Sequence, residues 1–334
     1  MKRRSFLIAC GSTALAANAS SRLRIGQIGT EHAHASGKMT AMRSLNDLWE
    51  VVGVAATKGY DGVKSMSVEE LLDTPDLQAV AVETAITSSC EMARRCIEAG
   101  KHVHLDKPGA LDHKEFKSMR LDAEKRGLTV QMGYMLRYNP AFELLFRAVR
   151  EGWLGEITEI DAAMGKLADK SQRDVIGALE GGGMFELACH LIDATHTILG
   201  KPLSVSAFST PTREDGVQDN QVAVLRYAKA TAVIRCNHAD PFGGPRRRFN
   251  VTGTEGTFEI LPLESGRVSL SLTSAHGGYK KGTQSLQLAV PKDRYAGEFT
   301  DLAKVVRGEK KLAWDAAHDI AVHESVLRAS GRWG

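Results

Sequence analysis

Three ionisable residues recur at helical spacing near the middle of the chain. Glu186, His190 and Asp193 lie at positions i, i+4 and i+7, so they are expected to share one face of a helix. A carboxylate one turn from an imidazole is expected to raise its pKa and orient it, which suits proton transfer near neutral pH. The glycines at 181–183 would let a ligand approach the amino end of that helix. The pattern indicates an acid/base site, although a capped amphipathic helix has the same spacing.

A lysine follows a short apolar run in the first third of the chain. Lys107 comes just after residues 101–105, which are predicted to form the fourth strand of a parallel sheet. Ligands bind at the carboxyl ends of such strands. The ammonium could donate a hydrogen bond to a substrate hydroxyl and stabilise negative charge that develops on its oxygen. Lys107 and His190 are both expected to be partly exposed groups in a cleft.

The elements that must position these residues alternate between strands and helices up to residue 134. Strands are predicted over residues 23–29, 51–55, 79–82 and 101–105, with helices through about residue 45 and over 89–99. This order predicts an α/β fold whose first domain, residues 20–134, is a Rossmann domain with a parallel doubly wound sheet.

The pattern changes in residues 135–334. Helices are predicted over 141–150, from about 184, over 297–307 and over 316–329, with a strand at 156–164. Period-two alternation runs from 204 to 272, with turns at Asp219-Asn220 and at 253–256. The second domain is therefore predicted to be an α/β domain with a large, open, mostly antiparallel sheet. We expect no membrane span and a homo-oligomer formed through this sheet.

The first 19 residues resemble an export signal of the twin-arginine type. Lys2, Arg3 and Arg4 precede a mildly apolar, uncharged stretch that ends in the small-x-small site 17–19. The signal predicts a periplasmic protein, and a cytoplasmic leader without structure is the alternative. These three basic residues account for the net charge of +3, because 40 basic and 40 acidic residues remain without them. The balance predicts no nucleic-acid partner.

Four cysteines follow the signal, namely Cys90, Cys96, Cys189 and Cys236. They lack the close paired spacing of metal sites, and a domain of this size does not need disulfides. We expect free, mostly buried thiols.

Three motifs in one order carry a family resemblance. They are AGKHVHLDKP at residues 99–108, GYMLRYNP at 133–140 and GGGMFELACHLID at 181–193. Together they resemble the Gfo/Idh/MocA family, in which the first motif reads E-K-P where this chain has Asp106-Lys107-Pro108. The third resembles the family's G-G-x-x-x-D-x-G-x-H-x-x-D, with Glu186 in the place of the first aspartate.

The resemblance implies an oxidoreductase that uses NAD or NADP and acts on a sugar, polyol or related small molecule. It implies that Lys107 contacts the reacting hydroxyl, that His190 is the acid/base residue and that Glu186 belongs to the same site. The cofactor contacts expected from it are Gly26, Gly29, Thr30, His32, Thr84, Asp106 and Lys107. The substrate contacts expected are Tyr134, Arg137, Asp193 and His238.

The phosphate-binding loop departs from the family pattern. Counting G-x-G-x-x-G from Gly29, the second and third glycine positions hold Glu31 and His34. No acidic residue stands at 55–57 to hold the ribose hydroxyls, and Lys58 could instead meet a 2′-phosphate. These departures predict that a dinucleotide binds in an unusual way or does not bind.

The same strand ends are rich in residues that bind metals. The candidates are His32, His34, His104, Asp106, Glu186 and His190. They converge if the first and fourth strands are neighbours, as expected for a Rossmann sheet. Imidazole and carboxylate ligands suit Zn²⁺ or a similar divalent ion, while isolated histidines are more often structural.

Three hypotheses follow from these observations. The first is an NAD(P)-linked oxidoreductase on a sugar derivative, in a redox-neutral cycle because free NAD is scarce outside the cytoplasm. The second is a nucleotide-independent hydrolase or lyase for carbohydrates, with a metal as an option. The third is a sugar-binding protein without catalysis, which the retention of Lys107 and His190 disfavours.

Overall fold

The structure is a computed structural model that describes residues 22–179 and 181–333. Its first part is a sheet of five parallel strands: β1 Leu23–Ile28, β2 Trp49–Ala55, β3 Leu77–Val82, β4 His102–Leu105 and β5 Val130–Met132. The strand order is β2-β1-β3-β4-β5. Most strand residues are buried and apolar, as expected when helices cover both faces of a sheet. The predicted Rossmann sheet is confirmed. The predicted export signal lies outside the described residues.

Four helices belong to this part: α1 Ala35–Ser44, α2 Val68–Leu72, α3 Ile86–Glu98 and α4 His113–Lys125. Two of them begin at a capping side chain. The Ser67 hydroxyl accepts from the N–H of Glu70, and the Asp112 carboxylate accepts from the N–H of Glu115. Helix α1 has no side-chain cap and no acidic residue in its first turn. No carboxylate in the first turn of α1 therefore offsets the positive end of the helix dipole, which faces the loop after β1.

The second part is built on an eight-stranded sheet. Its strands are β6 Ile157–Gly165, β7 Ser204–Pro211, β8 Gln218–Arg226, β9 Thr231–Asn237, β10 Arg248–Gly253, β11 Gly256–Ile260, β12 Arg267–Leu272 and β13 Gly282–Gln287. The order is β13-β12-β11-β10-β6-β9-β8-β7, and only the β6–β9 pair is parallel among these described strands. Burial alternates along β8 and β9, so one face is covered and the other is open. The predicted open, mostly antiparallel sheet is confirmed.

Six α-helices follow in the described residues after β5: α5 Pro140–Arg150, α6 Lys170–Ala178, α7 Gly182–Glu186, α8 Cys189–Leu199, α9 Ala296–Val306 and α10 Ala316–Ala329. The last two return to the first part. The indole N–H of Trp49 donates to the Phe299 carbonyl at 3.0 Å, so α9 is fixed to β2. Helix α10 packs against α4 and α8. The first and second parts therefore share a buried boundary, and the candidate site lies along it.

Three predictions about local structure were wrong. Strands β1 and β4 are not neighbours, because β3 lies between them. Asp219-Asn220 is not a turn but lies inside β8. The helix predicted from residue 184 is broken: the N–H groups of Leu187 and Ala188 both donate to the Gly183 carbonyl, and α8 begins afresh at Cys189. Glu186 and His190 therefore lie on different helices.

The prediction of free, buried thiols is confirmed in the described chain. Cys90, Cys96, Cys189 and Cys236 are buried and free. None of the described helices combines the length and the apolar character needed to cross a bilayer.

Candidate functional site

Lys107 lies two residues beyond the end of β4 and reaches α7. Its Nζ donates to the Glu186 carbonyl at 2.6 Å and to Glu186 Oε1 at 3.1 Å. The side chain is 1% exposed, so it is not the partly exposed group that was expected. Burial alone would lower the pKa of Lys107, but Glu186 and other negative neighbours outweigh burial and raise it. The lysine is therefore a fixed ammonium ion.

Glu186 is the counter-ion of this lysine. Burial would raise its pKa, but the charges of Lys107 and Lys166 lower it to about 2. Its side chain is 25% exposed, and Oε2 has no hydrogen-bond partner within the described chain. Oε2 can therefore accept a hydrogen bond from another donor, such as a substrate hydroxyl.

His190 faces the same region from the first turn of α8. The ring is 2% exposed, lies edge-on to Tyr134 at 5.7 Å between centroids, and leaves Nδ1 without a partner among the described residues. Burial, followed by the charges of Lys107 and His34, lowers the pKa of His190 well below its usual value. The expectation that Glu186 raises this pKa was wrong, because the helix break separates the two side chains. His190 is a neutral imidazole at neutral pH.

His238 follows β9 and lies under α7. Its Nδ1 is 3.6 Å from Cys236 Sγ, and its Nε2 has no partner among the described residues. Burial lowers the pKa of His238 to about 4 although Glu186 acts to raise it. A Cβ on Gly183 would lie 2.1 Å from the His238 ring. Only a glycine lets α7 approach this ring, and this contact sets the position of Glu186.

His32 and His34 in the loop between β1 and α1 meet Asp106 at the end of β4. Their Nδ1 atoms lie 2.6 and 3.1 Å from the same carboxylate oxygen, Oδ2. Of the six metal candidates, these three come together, with their ligand atoms within 4.8 Å of one another. His104 does not join them: its Nδ1 is 2.9 Å from Gln131 Oε1, on the side that faces α9.

A buried ionic cluster that the sequence reasoning missed lies beneath this loop. Lys38 of α1 is 0% exposed, and its Nζ lies 3.1 Å from Asp106 Oδ1 and 3.2 Å from Glu83 Oε1. Burial would raise the pKa of Asp106, but Lys38, His32 and His34 hold it well below its usual range. Burial raises the pKa of Glu298 to about 8. One signal existed in the sequence, because Glu83 follows β3 directly, at the sheet edge where functional side chains gather.

Arg137 and Asp193 belong to a different cluster. The Arg137 guanidinium binds both oxygens of Asp193 at 2.6 and 3.0 Å and one oxygen of Asp319 at 2.7 Å. It also stacks between the rings of Tyr134 and Trp314. Both ions are about 1% exposed. These contacts support a structural role for Arg137 and Asp193. They do not support the predicted contacts of these two residues with substrate.

The loop after β1 keeps part of a dinucleotide site. Gly29 has φ +84°, and a Cβ there would lie 2.6 Å from the Thr84 backbone nitrogen. The hydroxyl oxygen of Thr84 is buried and has no partner among the described residues. Gly26 instead packs against Leu71, which leaves no room for a side chain. The Glu31 carboxylate accepts from the N–H of Thr30 at 2.9 Å. Glu31 therefore occupies a donor that a phosphate would use.

Two family models match this chain. Residues 23–134 match the oxidoreductase family with an NAD-binding Rossmann fold, and residues 142–259 match the GFO/IDH/MocA C-terminal domain. The two matches together span more than half of the chain. The chain belongs to the Gfo/Idh/MocA family of oxidoreductases. The predicted Rossmann domain for NAD or NADP is thus confirmed at the level of the family.

Relatives of this family share moderate identity with the chain. It is 29% identical to the trans-1,2-dihydrobenzene-1,2-diol dehydrogenase of Bos taurus, over 64% of this chain and 66% of the relative. It is 26% identical to the scyllo-inositol 2-dehydrogenase (NADP(+)) IolW of Bacillus subtilis, over 73% of this chain and 65% of the relative. The matched segments span less than two thirds of these curated relatives.

One solved structure illustrates the shared fold. It is an oxidoreductase from Agrobacterium radiobacter in complex with NAD⁺, L-tartaric acid and magnesium, with a TM-score of 0.79 and 14% identity. The match covers 93% of this chain and 96% of the other. At this identity the likeness concerns the fold.

Proposed function

We propose that this protein oxidises or reduces a hydroxyl-bearing carbon of a sugar or polyol, with NAD or NADP as the hydride carrier. The single observation that carries the proposal is the pairing of Lys107 with Glu186 beside His190, whose Nδ1 has no partner within the described chain. The names of the inositol and dihydrodiol dehydrogenases that it resembles agree with a polyhydroxylated substrate. A bound nicotinamide would supply the hydride acceptor.

The residues around β1 and β2 fit a dinucleotide in most respects. Gly29 has the positive φ of a tight turn at the end of β1, and α1 has no acidic residue in its first turn. At the end of β2, Lys58 is exposed and no carboxylate stands beside it at 55–57, which favours NADP over NAD. Glu31 is the misfit, and its side chain has to leave the Thr30 N–H when a pyrophosphate binds.

Lys107 binds and polarises the substrate oxygen in this proposal. An ammonium has three N–H donors, and Glu186 takes two of those of Lys107. The third remains for a substrate hydroxyl. Because the lysine stays charged, it stabilises the alkoxide that forms as hydride leaves the carbon. Glu186 keeps the ammonium in place and offers Oε2 to a second hydroxyl, as a polyol would provide.

His190 accepts the hydroxyl proton during oxidation and returns it during reduction. A neutral imidazole can act as a base without first losing a proton, and the lowered pKa keeps His190 neutral over the physiological range. The nearby ammonium of Lys107 disfavours a lasting imidazolium, so the proton has to pass on to solvent or back to substrate.

Turnover of purified protein with NADP⁺ or NAD⁺ and a panel of polyols and sugars tests this function. We expect Lys107→Met and His190→Gln to lower kcat/KM by about 10²-fold or more, because each removes a transition-state contact. Lys101→Met, at the other end of β4, is the matched control and should keep wild-type activity. Wild-type turnover in both site variants would place the active site elsewhere.

We also propose that the protein is exported through the twin-arginine route, because Arg3-Arg4 and the small-x-small site at 17–19 form a complete signal. Such substrates travel folded, which agrees with a tightly held dinucleotide and a redox-neutral cycle. Periplasmic fractionation should recover wild type but not Arg3→Lys/Arg4→Lys. Equal recovery of the two would contradict export by this route.

Two other predictions concern a hydrolase or lyase activity and the oligomeric state. The relatives described above are dehydrogenases, and none of their names supports the nucleotide-independent hydrolase or lyase. Association through the open face of the eight-stranded sheet stays a prediction.

A further inference from the structure

The proposed proton and hydride transfer assigns no step to the cluster of His32, His34 and Asp106. We propose that these three side chains bind one divalent transition-metal ion of the Zn²⁺ class at the cleft between α1 and β4. The proposal does not depend on the dinucleotide, because it rests on the geometry of the three side chains.

Two imidazole nitrogens and one carboxylate oxygen converge on one point. Nδ1 of His32 and Nδ1 of His34 lie 2.6 and 3.1 Å from Asp106 Oδ2. Ligands of a tetrahedral Zn²⁺ ion lie about 2.0–2.2 Å from the metal and hence about 3.3 Å from one another. The His34 distance already fits, and His32 has to move outward by less than about 1 Å, which a loop side chain can do.

The carboxylate is held in the way that metal ligands usually are. Asp106 Oδ1 accepts the backbone N–H of Lys107 at 2.7 Å and lies 3.1 Å from Lys38 Nζ. These contacts use one oxygen and fix the plane of the carboxylate. Oδ2 is left for the two imidazoles. Outer contacts of this kind orient a ligand and strengthen metal binding.

Lys38 does not bind Asp106 alone. It is a buried ammonium whose Nζ lies 3.1 Å from Asp106 Oδ1 and 3.2 Å from Glu83 Oε1. The lysine is therefore shared between two carboxyl groups, and its contact is not to Oδ2, the Asp106 oxygen nearest to the two imidazoles.

The site is accessible to an ion from solvent and has room for a further ligand. The side chains of His32 and His34 are 16% and 18% exposed, so an ion can enter from solvent. Three protein ligands leave at least one coordination position for water or substrate, as in catalytic zinc sites.

Metal stoichiometry and affinity test the proposal without any measurement of activity. Purified protein is stripped with chelator, dialysed and titrated with ZnCl₂ by calorimetry, and bound zinc is counted by mass spectrometry. We expect one ion per chain. His32→Ala and His34→Ala should each weaken binding about 100-fold or more, since each removes one of three ligands. His276→Ala, a half-buried histidine on the loop between β12 and β13, should bind like wild type.

Two loop variants keep the test independent of folding. Asp106→Asn disturbs the Lys38 cluster and could unfold the protein, whereas His32 and His34 are partly exposed, so thermal melts of their variants should match wild type. The alternative that these distances allow is a pair of Nδ1–H donors on one carboxylate oxygen, which binds no ion. Absence of bound zinc in wild type, or full occupancy in both histidine variants, would overturn the proposal. Binding of zinc without binding of NAD or NADP would support it while contradicting the proposed function.

Discussion

At the scale of single residues, the site is an arrangement of buried ions held by one another. Lys107 was expected to be partly exposed in a cleft, and it instead pairs with Glu186 and is 1% exposed. A buried ammonium without its carboxylate, or the reverse, is strongly unfavourable. Substitution at this pair therefore affects folding as well as chemistry, and the two effects have to be measured separately.

Lys107→Met should lower the free energy of unfolding by about 3 kcal/mol, because it leaves the Glu186 carboxylate without its partner. Adding Glu186→Gln removes that charge and should restore most of the loss, although activity stays absent. Chemical denaturation of wild type, both single variants and the double variant gives the coupling free energy between Lys107 and Glu186. Additive losses would show that the pair does not hold this part of the fold.

The sequence predicted Lys107, Glu186 and His190 as site residues but did not predict the buried Lys38 beside Asp106. All three stand in motifs with fixed spacing, so their types and positions could be read directly. Lys38 could not be recognised in the same way, since a lysine in a helix is usually solvated. Its burial follows from the meeting of α1 with Glu83 and Asp106, which come from two other strand ends. Contacts that close over long sequence separations are the part that local patterns do not predict.

At the scale of elements, regular periodicity predicted helices and strands well. The helix expected at 316–329 is α10, Ala316–Ala329, which begins after the capping carboxylate of Asp315. The helix expected from 184 is broken after Glu186, where the N–H groups of Leu187 and Ala188 both donate to the Gly183 carbonyl. Gly183 also lies against the His238 ring, and nothing in the local pattern indicates this contact with a residue 55 positions later.

Gly183→Ala should disturb α7 and displace Glu186. The new Cβ would lie 2.1 Å from the His238 ring, and such overpacking costs about 1–3 kcal/mol of unfolding free energy. The loss should be smaller when His238→Ala is already present, because the colliding ring is gone. Gly244→Ala is the control, since no atom lies within 4 Å of its added Cβ. Thermal denaturation of the four variants measures this, and an equal loss in both backgrounds would exclude the contact.

At the scale of the whole molecule, the C-terminal segment closes the site over the first sheet. Tyr295, just before α9, lies 5.7 Å from the His34 ring, and a Cβ on Gly37 would lie 2.7 Å from Tyr295. The fold class and the two sheets were predictable from the order of strands and helices. The return of the C-terminal segment to the first sheet was not predictable, because it joins elements that are some 250 residues apart.

The buried histidines predict that the protein loses stability in acid. Burial lowers the pKa to about 3 or about 4 for His34, His104, His196, His238 and His323. Unfolded histidine titrates near 6.5, so the unfolded chain binds more protons between about pH 6.5 and 4, and the unfolding free energy falls as pH falls. Glu298, with a pKa of about 8, acts oppositely: its contribution declines as pH rises from about 4.5 to 8.

Thermal or urea melts from pH 4 to 9 should therefore show a stability maximum near neutrality. Each neutral histidine adds about 1.4 kcal/mol per pH unit to the acid slope. His196→Gln should reduce that slope by about one proton, since it keeps a donor for Ser325 but cannot titrate. An unchanged acid slope in this variant would contradict the assignment of a neutral His196.

The proposed oxidoreductase activity requires that the loop between β1 and α1 binds a dinucleotide. Calorimetric titration of NADP⁺ and NAD⁺, with chelator present, into wild type, Glu31→Gly and Glu31→Gln measures this directly. Because Glu31 occupies the Thr30 N–H, removal of its charge should strengthen binding by about 1–3 kcal/mol, or roughly tenfold to a hundredfold. Glu31→Gln separates the effect of charge from that of shape. We predict binding by wild type, with NADP⁺ ahead of NAD⁺, and tighter binding by both variants; no binding by any of the three proteins would contradict the proposed oxidoreductase.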